Sequence, residues 1–133
     1  MLAKEFIGVS FIDNIEKMTL QDDKVYAYMG FILISQSIEF LGACLDPYSW
    51  NQKNISAERF NLAIETLFPK KYVGYNLYKN LRCPMVHSSM PGVMISLSER
   101  MHEISANKVG LHLMKLENGK FILIYEDLLN DFK

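Results

Sequence analysis

Val25–Leu45, VYAYMGFILISQSIEFLGACL, decides how the rest of the chain is read. Its apolar run is unbroken only as far as Ile34; Ser35, Gln36, Ser37 and Glu39 then interrupt it, whereas a bilayer span needs about 20 largely apolar residues. The stretch is expected to be the buried central helix of a folded domain. It starts near Asp22 and Asp23, whose charges suit the positive end of the helix dipole, and Pro47 stops it.

Helical periodicity continues on both sides of this stretch. Upstream, Phe6, Ile7, Phe11, Ile12, Ile15 and Met18 form an apolar stripe over residues 4–18, and Thr19–Asp23 reads as the turn. Downstream, PYSWNQKN is a polar loop, and Ser56 is positioned to cap a third helix that Pro69 closes. A fourth helix is expected from about Lys71 to Leu81, with Gly74 as its weak point and a break or kink at Pro84. Beyond His87, VMISLS alternates as a short strand does and a helical turn follows around Glu99–Ala106. Asn118-Gly119 between two hydrophobic runs predicts a β-hairpin, and Tyr125–Phe132 a closing helix. The fold class is therefore mostly α (α+β): an antiparallel four-helix bundle over about 4–90, with a small C-terminal β-hairpin and short terminal helix over about 91–133, in one domain spanning 1–133.

The whole has 133 residues, 50% hydrophobic and 22% charged, which is enough for a core without metals or disulfides and excludes collagen-like, disordered and disulfide-scaffold classes. MLAKEFIGVSFIDNIEKM does not read as a signal peptide. Cys44 and Cys83 without such a signal suggest reduced thiols and a cytoplasmic location, with no membrane association. The net charge of −1 hides a pattern: residues 1–65 carry five Lys/Arg against nine Asp/Glu, whereas 66–98 carry Lys70, Lys71, Lys79 and Arg82 and no acid.

That acid-free window also holds Tyr72, Tyr75 and Tyr78. Basic groups among aromatics suit phosphate contacts and base stacking, which makes Lys70, Lys71, Tyr75 and Lys79 the candidate substrate-binding residues for RNA or a nucleotide. The competing reading packs the tyrosines in the bundle and leaves the lysines in water. Arg82 and His87 follow. A guanidinium grips phosphate and an imidazole moves a proton near neutral pH, so the pair is the candidate catalytic site once a break at Pro84 lets the two converge. Glu39 lies in the most apolar helix and needs a partner; Arg82 is expected to provide it as a structural ion pair, with a Lys or a Tyr hydroxyl as the other solutions. His87, His102 and His112 lack zinc-site spacing, so no metal is expected; no cofactor motif is present, and no Cys/His/Asn pattern supports Cys83 as a nucleophile.

LYKNLRCPMVH after a four-helix run, with IEFLG on the central helix, resembles the HEPN superfamily, whose mark is Arg-x(4 to 6)-His. The resemblance implies a HEPN-like bundle and a metal-independent ribonuclease of toxin type, with an RNA substrate and an antitoxin or other protein partner. Two motif copies would meet in a homodimer. His87 would then move protons at the ribose 2'-hydroxyl or the leaving oxygen, and Arg82 would stabilise charge developing on phosphorus. Cys83 stands where active members usually carry Asn, Asp or His, and the central helix lacks their Glu-x3-Lys/Arg pair. These departures imply the alternative: a catalytically inactive HEPN-like module for dimerisation, nucleotide binding or protein interaction.

Overall fold

The computed structural model describes residues 3–19, 25–107 and 110–133. The elements are α1 (residues 3–19), α2 (Val25–Leu45), α3 (Ser56–Leu67), α4 (residues 77–88), β1 (Ile95–Ser98), α5 (Arg100–Ser105), β2 (Phe121–Ile124) and α6 (Tyr125–Phe132). The class is mostly helical with a two-stranded sheet, α+β as expected. The expected turn at Thr19–Asp23, with the helix start at Asp22 and Asp23, falls largely outside the described residues.

α2 is the hub. It packs most extensively on α3 and also meets α1, α4 and α6, burying Phe31, Ile34 and Ile38 against Phe60 and Ala63 of α3 and Leu81 and Met85 of α4. By length and hydropathy alone Ala27–Leu45 would suffice to cross a membrane, so the polar interruption after Ile34 does not remove that capacity. In this fold the helix carries a carboxylate, Glu39, whose cationic partner comes from α4.

Three local expectations change. α3 begins at Ser56, but the serine caps nothing: it already lies inside the helix, and Ile55 C=O receives the first turn's bond from Arg59 N–H (3.0 Å). Arg59 is 7% exposed, and its guanidinium pairs with Asp46 and donates to Ser49 C=O (2.8 Å), which fastens the 46–50 loop to α3. The helix expected over 71–81 is instead a 3-10 turn, Lys70–Tyr72, followed by a break at Gly74 (φ +94°) and Asn76 (φ +47°). The Asn76 carboxamide oxygen then accepts Lys79 N–H (3.4 Å) to open α4.

Pro84 does not break α4. The preceding turn, Tyr78–Arg82, is wound as a π-helix, with Cys83 N–H donating to Tyr78 C=O, and α-helical winding continues through Cys83–Ser88. Proline has no N–H for the carbonyl four residues back, that of Asn80. Gly92 N–H takes up that carbonyl at 2.9 Å, so the chain returning after α4 meets the orphaned acceptor.

The C-terminal region also differs from a simple hairpin. A turn forms at Asn118-Gly119, but one residue wider than a two-residue hairpin: Gly119, at φ +78°, donates its N–H to Leu116 C=O (2.9 Å), and Leu116 N–H donates to Lys120 C=O (2.7 Å). Its first arm, however, makes one antiparallel bridge, Lys115 to Phe121, and is not a strand, because Leu113 stands at φ +62°. The strand partner of β2 is β1, in parallel, with Ile95 opposite Phe121 and Leu97 opposite Leu123. A parallel pair needs a crossover, and α5 lies between the two strands in the chain.

Candidate functional site

Glu39 sits in mid-helix on α2 and Arg82 ends the π turn of α4, so the α2–α4 packing sets them face to face. Arg82 Nε lies 2.6 Å from Glu39 Oε2, with the side chains 15% and 20% exposed. The two atoms are sealed from solvent and not aligned as a hydrogen bond, so the contact is a charge pair first. The guanidinium also lies over the Tyr78 ring at 5.7 Å. Tyr78 in turn packs edge-on against Phe60, and the neighbouring Cys83 thiol, with burial, pushes the phenol above its ordinary pKa.

His87 is exposed. Because α4 runs unbroken past Pro84, the five residues from Arg82 to His87 leave their directions about 140° apart, so the proline-driven convergence does not occur within one chain. Arg82 faces α2, and His87 faces solvent.

The tyrosines take the packed alternative. Tyr72 is 1% exposed; the Tyr75 hydroxyl donates to Leu113 C=O (2.7 Å) while its ring meets Phe121 at 4.8 Å. None of the three is left as a free stacking platform. Lys70, Lys71 and Lys79 are exposed, and Lys71 is paired with Asp131. Cys44 and Cys83 are free thiols. Among the described residues no three His, Cys, Asp or Glu side chains gather as a metal site.

A polar chain unforeseen from sequence lies across the C-terminal region. Ile124 N–H donates to His112 Nδ1 (3.1 Å), so the ring proton sits on Nε2, which donates to the Tyr72 hydroxyl (2.8 Å); that hydroxyl donates to Asp131 Oδ2 (2.8 Å). Burial pushes His112 below its ordinary pKa and Tyr72 above its own. Burial alone would raise Asp131, but Lys71 and the Tyr72 hydroxyl outweigh it and hold the carboxyl low. With both ring nitrogens committed, His112 has no lone pair for a metal. Beside Tyr72 lies a cleft of about 280 Å3 lined by Asn61, Ile64, Glu65, Gly74, Asn76 and Leu77, whose one charged group is Glu65.

Comparison with protein-family models, curated proteins and solved structures finds no match to the chain. Its function therefore rests on its own residues.

Proposed function

We propose that the stretch over about 4–90 forms a HEPN-like antiparallel four-helix bundle that works as a homodimerising interaction module, with Arg82 committed to the fold. The observation that carries this is the Glu39–Arg82 contact. A guanidinium neutralised by a carboxylate at 2.6 Å and packed on Tyr78 has little charge left for a phosphate, and the tyrosines beside it are spent on the core. The homodimer follows from the HEPN resemblance, in which a two-fold axis brings two motif copies together.

The second reading, a metal-independent ribonuclease using Arg82 and His87, is favoured by one observation: His87 is exposed on the helix that holds Arg82. The experiment that separates the two incubates the pure protein with single-stranded RNA in chelator, beside His87→Ala, with sedimentation analysis of the same samples. An interaction module leaves the RNA intact and sediments as a dimer. Cleavage by wild type that is lost in His87→Ala, whose exposed side chain contributes little to folding, overturns that reading in favour of the ribonuclease. A monomer that leaves RNA intact removes both.

A further inference from the structure

The arm over residues 111–116 is held to the domain at four successive residues, Leu111 to Met114, and the Tyr75 hydroxyl adds a bond to Leu113 C=O (2.7 Å). Leu111 N–H donates to Oε1 of the fully buried Glu103 (2.8 Å), His112 Nδ1 accepts Ile124 N–H, and Leu113 N–H donates to Ile122 C=O (2.7 Å). This arm covers the edge of β2 that β1 does not occupy, since Ile122 N–H in turn donates to Met114 C=O (3.1 Å). The arm is also strained: Leu113, a bulky residue only 8% exposed, is in the left-handed region at φ +62°. A strained arm stays in place only while its bonds outweigh the strain. One of those bonds ends on an imidazole nitrogen.

We propose that His112 is an acid-sensitive clasp, in which a second ring proton on Nδ1 removes the acceptor of the Ile124 amide and releases the 111–116 arm from β2. The Tyr72 hydroxyl bonds the ring, and the charges that act on it are Lys71 of the 3-10 turn, Asp127 and Asp131 of α6, and Arg100 of α5. The two carboxylates favour its protonation and the two cations oppose it, so burial tips the balance toward the neutral ring. A protonated His112 has two donors and no acceptor, and it would point one of them at the Ile124 N–H. Release relaxes Leu113 and uncovers the backbone groups of Ile122, an unpaired strand edge able to take another strand.

The sign of the pH effect follows from linkage. The folded state holds His112 below its ordinary pKa, so its contribution to stability is complete above about pH 6.5 and declines as pH falls from there toward the lower folded value.

The clasp is independent of the dimer reading and is tested on the intact protein in two ways. Long-range proton–nitrogen NMR at about pH 7.5 should show His112 as the Nε2–H tautomer, and a proton on Nδ1 instead overturns the proposal. Amide exchange at Ile124, Leu113 and Ile122, corrected for intrinsic rates, should accelerate several-fold between about pH 7.5 and about pH 5, while core amides of α2 and α3 do not. His112→Asn places an acceptor oxygen near the Nδ1 position without titrating, so it should keep the arm protected throughout. Flat protection in wild type, or the same acid response in His112→Asn, overturns the clasp; the wild-type measurements decide the matter if the variant does not fold.

Discussion

Gly42→Ala is expected to lower the thermal midpoint by about 10 °C, corresponding to a loss of about 3 kcal/mol for a chain of this size. A Cβ built at Gly42 would lie 1.7 Å from the Arg59 carbonyl oxygen and 2.3 Å from its carbonyl carbon, so the α2 and α3 backbones leave no room here for a side chain. The obstruction is backbone, and no rotamer change relieves it. Arg59 cannot withdraw cheaply either, because its guanidinium is tied to Asp46 and Ser49 C=O. The helices must separate, and their separation loosens the packing of Phe31, Ile34 and Ile38 at once. Gly30→Ala is the internal control. A Cβ there meets ring atoms of Tyr125 at 2.4 Å, and a ring can tilt, so a smaller loss of about 1–2 kcal/mol is expected. Circular-dichroism melts of the two variants check this order; a Gly42→Ala midpoint at or above that of Gly30→Ala would sink the account of the helix contact.

What sequence could and could not foresee follows the range of the interactions. α2, β1 and α6 were legible because periodicity and punctuation are local: Pro47 lies two residues past Leu45, and Tyr125–Phe132 appears with the bounds its pattern gave. Glu39 was legible as a residue in need of a partner, since a carboxylate in an apolar helix creates that demand wherever the helix packs. The winding of α4 was not legible. Pro84 alone predicts a break, whereas the π winding of the turn before it carries the helix through, and the returning Gly92 N–H occupies the Asn80 carbonyl. The Asn118-Gly119 pair marks a turn, but the identity of β2's strand partner depends on how the crossover folds, and the left-handed Leu113 denies the local arm that role. The Tyr72–His112–Asp131 chain spans 40 and 59 residues and obeys no spacing rule, so nothing in the sequence marks it.

Removing either partner of the Glu39–Arg82 pair should cost about 2–3 kcal/mol, below the range for a wholly buried pair because both side chains keep some contact with water. Arg82→Ala should be the more harmful, since it also removes the cation lying over Tyr78, a contact worth about 0.5–1 kcal/mol, whereas Glu39→Ala leaves that contact in place. In the double variant no charge is left unpaired, so its loss should fall short of the sum of the single losses by about 1–2 kcal/mol. Urea titration of the four proteins measures this, and strict additivity would deny the pair its structural role. Glu39→Gln carries the argument to function. It keeps the shape of the side chain and removes its charge, which would free Arg82 for a phosphate if phosphate were its purpose. A structural Arg82 predicts that Glu39→Gln loses stability and gains no affinity for single-stranded RNA. A variant that is less stable yet binds or cuts RNA more strongly than wild type would mean that Glu39 restrains a working arginine, and the ribonuclease reading would then displace the interaction module.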